Sequence, residues 1–286
     1  MKSYTQRQLF DEVGLVLNQF FTSGEANSLR RMLLEHVLKI PYYHVHLTPN
    51  AQVSPSLSKN ILDMTGQLVR GVPIQYLLGE TTFMELNLTV NPSVLIPRPE
   101  TEELVRWVIA DCHLPKPKIL DIGTGSGCIA IALAQNIPDS TLTAVDISPD
   151  ALKVARHNAK IYSAAICFVE ADILSGSLIP NAPFDIVVSN PPYVRSSERR
   201  FMHKNVLDHE PPLALFVSDD NPLQFYKAIV SKSSKLIKQG GRLFLEINEE
   251  FGNQMVELLE ANHFGKVTLR KDINERYRMI SGTYTG

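Results

Sequence analysis

Asn190-Pro191-Pro192-Tyr193 is the stretch of this chain whose residue types are best suited to chemistry. Two consecutive prolines remove two backbone donors and fix two φ angles, so the turn is rigid and its carbonyl oxygens must find partners outside a helix or sheet. Asn190 adds a side-chain carbonyl, Pro191 a backbone carbonyl and Tyr193 an aromatic face, a set that can hold an –NH2 group by both hydrogens and stack on the plane that carries it. An amide nitrogen is a poor nucleophile because its lone pair is delocalised, a resonance measured by a rotation barrier of about 18–20 kcal/mol. A site acting on such a nitrogen therefore needs alignment and acceptors rather than a strong base. Alignment can supply up to roughly 7–11 kcal/mol, and acceptors stabilise positive charge as it grows on nitrogen.

Upstream, Asp121-Ile122-Gly123-Thr124-Gly125-Ser126-Gly127 joins an apolar strand to the helical run Ile129-Ala130-Ile131-Ala132-Leu133-Ala134. Glycines let the backbone turn sharply and let a ligand approach closely, and the helix N-terminus offers unpaired N–H donors. The spacing is GxGxG, not the GxGxxG of a nicotinamide site, and it suits a nucleoside with an amino-acid tail better than a pyrophosphate. The cofactor so implied is S-adenosylmethionine, whose sulfonium makes a methyl group reactive and leaves S-adenosylhomocysteine as product. Asp146, 23 residues after Gly123, stands where a carboxylate can accept from both ribose hydroxyls; its bland alternative is to cap the helix at Ser148-Pro149. Asp172 can accept from the adenine amino group with Ile173 against the ring, or simply form a turn. Asp121 can attract the methionine ammonium or act as a structural carboxylate. Thr124 and Ser126 complete the loop, and Asn190 is expected to face both cofactor and substrate.

These residues need a scaffold of alternating strands and helices. Strands are expected at 117–122, 141–147, 166–170, 184–189, 242–247, 266–270 and 276–281, helices at 127–136, 149–163, 222–239 and 250–262, and a helix start at Pro99 with Glu100, Glu102 and Glu103 at its positive end. The apolar, β-branched strands around Ile119, Val145 and Val187 read as interior strands of a mostly parallel α/β sheet. From about residue 5 to 80 the periodicity is helical, with Leu29, Met32, Leu33, Val37 and Leu38, then Ile61, Met64 and Leu68, before Gly71-Val72-Pro73 stops the helix. Between 82 and 95, Phe83, Leu86, Leu88 and Val90 alternate, and Asn91-Pro92 is read as the turn of a β-hairpin. The organisation expected is a helical domain over 1–80, a hairpin linker over 81–97 and a catalytic domain over 98–286.

With 286 residues, 44% hydrophobic and 20% charged, the chain can build one large core and a smaller companion. Its net charge of −2 gives no footprint for nucleic acid. Cys112, Cys128 and Cys167 lack both an even count and CxxC spacing, which points to a reducing, cytoplasmic setting without disulfide or zinc. No signal peptide and no run of about 18 apolar residues is found. His44 and His46 lack a third ligand, so no metal is expected. Ser189 has no GxSxG elbow and reads as a strand residue. The Glu198 to Lys204 run reads as a solvated loop placed to touch a partner's backbone or nearby RNA.

The chain resembles the HemK/PrmC family, the peptide-chain release factor N5-glutamine methyltransferases. Besides the glycine loop and the Asn190 turn, the resemblance rests on Pro73-Ile74-Gln75-Tyr76 with Gly79-Glu80 and Phe83, and on Leu95-Ile96-Pro97-Arg98-Pro99-Glu100-Thr101-Glu102, the more specific run. Glu210-Pro211 with Ala214-Leu215, and Lys271-Asp272 with Arg276 and Arg278, also match. It implies a class I S-adenosylmethionine-dependent methyltransferase fold, Rossmann-like, with a seven-stranded mostly parallel sheet, acting as a monomer on the GGQ glutamine of class I release factors, which the helical domain helps to grip. Expected substrate contacts are Asn190, Pro191, Pro192, Tyr193, Val194 and Arg98. Arg98 has the alternative of a surface ion pair with Glu100 or Glu102. Departures are Ile173 where the family often has an aromatic, Pro222-Leu223 where it has Gly-Leu, and no glycine near Asn248. Rival readings are a ribosomal-protein glutamine methyltransferase, an adenine N6 or cytosine N4 DNA methyltransferase, and a non-catalytic binding module on a degenerate fold. Acidic charge weighs against DNA, since base flipping needs a surface that holds phosphates.

Overall fold

Thr5, Thr22 and Ser54 each start a helix by accepting a backbone N–H on their hydroxyls, from Gln8, Glu25 and Leu57. The helices are α1 (Gln6–Leu17), α2 (Ser23–Leu38) and α3 (Pro55–Val69). α3 begins on a proline at its first turn and stops before Gly71, whose φ of 89° only glycine adopts readily. Leu9, Val13, Leu17, Leu33, Leu34, Ile61 and Leu68 make the shared core, while Met32, expected inside, is 40% exposed and Leu34 fills the interior position instead. His46 packs its ring edge on Phe10, 5.2 Å between centroids.

That helical unit runs to Gly79 and includes His203–His209; the second unit consists of Glu80–Met202 and Glu210–Gly286. A computed structural model describes residues 3–176 and 179–286 of the chain.

The second unit opens with a hairpin, β1 (Glu80–Phe83) and β2 (Leu86–Thr89). Its turn is Met84-Glu85, both at positive φ (46° and 66°), a two-residue geometry whose twist matches the strands. Asn91-Pro92, expected as the hairpin turn, instead forms the bend after β2, with Asn91 Oδ1 accepting the Ser93 N–H. The usual Asn-Gly signal is missing from the true turn, where the Met84 N–H is taken up by the Glu102 carboxylate at 2.9 Å.

Next follow α4 (Pro99–Asp111), β3 (Lys118–Ile122), α5 (Cys128–Asn136), β4 (Thr141–Asp146), α6 (Pro149–Ile161), β5 (Ile166–Glu170), β6 (Phe184–Ser189), α7 (Gln224–Ser231), β7 (Ile237–Glu246), α8 (Gly252–Glu260), β8 (Phe264–Lys271) and β9 (Tyr277–Tyr284). They build one seven-stranded sheet in the order β8-β9-β7-β6-β3-β4-β5, with β9 antiparallel to both neighbours and the rest parallel. All seven expected strands form. Alternate residues face opposite sides: Leu120, Val187 and Leu243 pack on α7 and α8, while Ile119, Ile186 and Phe244 pack on α4 and α5. The helix expected over 222–239 ends early, because the chain joins the sheet at Ile237. There the register shifts between Ile237 and Arg242, and a Cβ at Gly241 would lie 2.8–3.0 Å from Ile237, Lys238 and Asp185 atoms.

Because the chain runs outward from β3 in both directions, the carboxyl ends of β3 and β6 flank a crevice of the kind in which open α/β sheets hold ligands. Ser189, at the end of β6, is fully buried and donates its hydroxyl to the Ile122 carbonyl at 2.7 Å, which fixes the two strand ends together.

Candidate active site

Beyond β3 the chain turns through Gly123, Gly125 and Gly127, all at positive φ (73°, 55°, 84°). Gly127 caps α5, and a Cβ there would sit 3.0 Å from Ile131 and 3.2 Å from Ala155. Thr124 and Ser126 are buried beneath the turn. Asp146, at the end of β4, holds the loop from the far side: one oxygen accepts the Gly125 N–H at 2.8 Å and the other the Ser148 N–H at 2.9 Å. Burial pushes its carboxyl up from the ordinary range, and those N–H donors oppose the shift. Asp146 orders the next helix start and also lines the cavity.

Asp121 is fully buried below the loop. Thr124 donates to its Oδ2 at 2.6 Å, while among the described residues no group within hydrogen-bonding geometry donates to Oδ1, the Ala130 N–H being the backbone donor that helps to hold the carboxyl down. Burial raises its carboxyl to about 7, partly offset by the Thr124 hydrogen bond and reinforced by Asp146. An orphaned buried acceptor is costly unless something else engages it.

One cavity gathers the loop and the strand ends, about 1040 Å³ counted to its open mouth. Gly123, Gly125, Asp146, Asp172, Ile173, Asn190, Pro191 and Pro192 all line it. Asp172 Oδ1 accepts the Leu174 N–H at 2.8 Å, which makes the turn that carries Ile173. The carbonyl of Ile173 is in turn bonded by Lys232. Val94, Leu95, Ile147, Leu213 and Phe225, none of which the sequence marked as a ligand contact, also line the wall. Phe225, near the start of α7, supplies the wall's aromatic ring, in a chain where Ile173 lacks one. Phe225 sits beside Tyr226 in an amphipathic run, so its sequence signal was masked by ordinary helix periodicity.

The Asn190 turn is oriented from behind. Asn190 Nδ2 donates to Thr101 Oγ1 at 3.0 Å, and Thr101 donates to Glu246 Oε2 at 2.7 Å. Tyr193 donates its hydroxyl to Glu246 Oε1 at 2.9 Å. Tyr193 therefore does not line the cavity, and burial lifts its phenol well above the usual range, with the Glu246 charge adding to the rise. Glu246 is buried, which raises its carboxyl, while hydrogen bonds from Thr101 and Tyr193 and the charge of Arg278 act against that rise. Among the described residues nothing donates to Asn190 Oδ1 or to the Pro191 carbonyl, so the two acceptors expected from sequence are free.

Val194 and Arg98 lie off the cavity wall. The Val194 N–H is spent on the Leu215 carbonyl at 2.9 Å. Arg98 pairs with Glu210, neither Glu100 nor Glu102, because Glu102 is engaged by Arg106 and by the Met84 N–H. Among the described residues there is no cluster of three His, Cys, Asp or Glu side chains fit for a metal, and no helix long and apolar enough to cross a membrane.

Residues 104–209 match the family model described as Methyltransferase small domain, and residues 19–79 match PrmC N-terminal domain. A release factor glutamine methyltransferase of Flavobacterium psychrophilum is 44% identical over 268 residues, 92% of this chain and 94% of that protein. One from Bacteroides thetaiotaomicron is 38% identical over 265 residues, covering 93% and 95%. Among solved structures, a methyltransferase from Pyrococcus furiosus superposes with a TM-score of 0.52 at 16% identity, over 72% of this chain and 92% of that one. A ribosomal protein L11 methylase from Lactobacillus delbrueckii gives 0.50 at 17%, over 69% and 84%. At such identities the two structures speak for the fold alone, a class I methyltransferase sheet.

Proposed function

Because this chain belongs to the release factor glutamine methyltransferase family, we propose that it transfers a methyl group from S-adenosylmethionine to the side-chain amide nitrogen, N5, of the GGQ glutamine in class I peptide-chain release factors. The observation that carries the reading is the pair of unengaged acceptors, Asn190 Oδ1 and the Pro191 carbonyl, on the wall of the cavity that also holds Gly123, Gly125 and Asp146.

The residues present suit the cofactor. We read Asp146, Asp172 and Ile173, which line the cavity, as contacts for the ribose hydroxyls and the adenine, and Asp121, buried behind the wall, as the charge that attracts the cationic end of the amino-acid tail. When bound, the sulfonium supplies an electrophilic methyl carbon and takes up the electron pair of the breaking carbon–sulfur bond. Asn190 and Pro191 each accept one hydrogen of the glutamine –NH2, which directs the nitrogen lone pair along the line of attack. Charge that develops on nitrogen is stabilised by the same two oxygens, and once the new carbon–nitrogen bond has formed the nitrogen loses one proton to water at the open mouth of the cavity. Tyr193 serves the turn through its hydroxyl bond to Glu246, and Arg98 orders the rim through Glu210. The helical unit is read as the part that grips the factor. The reading implies a cytoplasmic monomer without stable nucleic-acid binding.

Purified protein, labelled S-adenosylmethionine and a release factor test the assignment: label should enter the factor and be abolished by replacing its GGQ glutamine. Label entering a ribosomal protein or DNA, with none on the release factor, would overturn it.

A further inference from the structure

An asparagine can serve the reaction only in one of its two amide orientations. With Oδ1 toward the substrate it accepts; turned over, it presents a donor to a donor and repels the –NH2 it should hold. The Asn190 ring of partners contains its own answer to which orientation is kept.

Glu246 ends β7, at 1% exposure, and each of its oxygens accepts one hydroxyl: Thr101 at 2.7 Å and Tyr193 at 2.9 Å. Arg278, which donates to the Ile247 carbonyl at 3.2 Å and to Asp272, is the nearby countercharge. Thr101, 2% exposed on the first turn of α4, owns a single hydroxyl proton, and that proton is given to Glu246. Its oxygen can then only accept, so the group of Asn190 that meets it must be the –NH2. The direction of every donor in the chain follows from a carboxylate that has nothing to donate.

We propose that Glu246 is a positioning residue for this reaction: acting through Thr101, its carboxylate holds the Asn190 amide with the oxygen, not the –NH2, turned to the substrate amide. The inference rests on the function proposed above. It predicts that a buried strand glutamate 56 positions downstream of Asn190, touching no reactant, sets the rate of methyl transfer.

Two variants of near-identical shape separate this from packing. Thr101→Val keeps the volume and removes the hydroxyl; Thr101→Ser keeps the hydroxyl and removes a methyl group. Orientation control expects Thr101→Val to lose about 10–100-fold in kcat, and Thr101→Ser to stay within about threefold. A packing role expects the reverse order. Glu246→Gln, which forces one donor into the chain, should fall with Thr101→Val. Cofactor affinity, measured by calorimetry, should stay within about twofold in all three, because none of these groups lines the cavity. A readout independent of turnover is the side-chain amide resonance of Asn190 in nitrogen-15 spectra, assigned by its loss in Asn190→Asp. Slow hydrogen exchange at this group should survive in Thr101→Ser and disappear in Thr101→Val. Equal activity in Thr101→Val and wild type, Thr101→Ser falling as far as Thr101→Val, or unchanged exchange across the set would each sink the proposal. Should the wild-type protein fail to label a release factor, the function reading is lost, while the exchange comparison still decides the orientation.

Discussion

Arg98 and Glu210 meet at 2.6 Å between Nη2 and Oε1, and the second oxygen of the same carboxylate accepts the Ile96 N–H at 3.2 Å. One buried carboxylate thereby fastens the segment carrying Val94 and Leu95 to the segment carrying Leu213 and Ala214, two parts of the cavity wall. Arg98→Ala leaves Glu210 buried with its charge uncompensated, which costs on the order of 1–3 kcal/mol for a pair that is partly open to solvent on the arginine side. We expect a melting temperature lower by several degrees and a weaker grip on the cofactor, read by thermal denaturation and calorimetry. Glu210→Gln, which can still accept the Ile96 N–H, should do less harm.

On the proposed mechanism, Asn190→Ala removes an acceptor that stabilises charge as it develops on the substrate nitrogen. Turnover should fall about 10²–10³-fold while the cofactor dissociation constant moves little. A titration in which binding weakens as far as turnover drops would contradict this division of roles.

Asp146→Ala should show the opposite balance. Loss of a carboxylate that both anchors the Gly125 N–H and is available to the ribose hydroxyls should weaken cofactor binding by about a hundredfold, close to 3 kcal/mol. At saturating cofactor, much of the turnover should return.

Asp121 gives the pH dependence. Its carboxyl is raised to about 7 in the folded, cofactor-free protein against 3.8 ordinarily, so the folded state holds a proton that the unfolded chain has released between those values. Stability of the free protein is then greatest below about pH 4 as far as this group is concerned, and its share is lost as pH rises toward 7. A cationic ammonium favours the ionised form, so cofactor binding should strengthen as pH rises through about 7 and release a proton below it. Calorimetry in buffers of different ionisation enthalpy measures that proton directly; proton uptake at pH 6 would contradict the assignment.

The sheet was legible because its strands carry their signal locally: Ile119, Val145 and Val187 sit in short apolar runs covered on both faces, and each run is bounded by a turn. The glycine loop and the Asn190 turn were legible for the same reason, as contiguous motifs. What escaped was non-local. Thr101 and Glu246 are 145 positions apart and meet only because α4 packs beside β7. One clue was available, a lone charged residue inside the apolar run Leu243-Phe244-Leu245-Glu246-Ile247, since a carboxylate is seldom buried there without a partner. The overrun of the helix at 222–239 has a different cause. Leu236 and Ile237 continue a helical pattern, but the glycine pair at 240–241 lets the chain enter the sheet at a shift of register that no periodicity announces.

The position of β9 between β7 and β8 bears on how the enzyme is made. As the chain leaves the ribosome, β8 emerges with no strand to lie against, and the edge of β7 stays open until β9 has followed. Arg278, the countercharge of Glu246, travels on that same late strand. A chain that ends before β9 holds the glycine loop and the Asn190 turn but lacks the countercharge of the glutamate behind them.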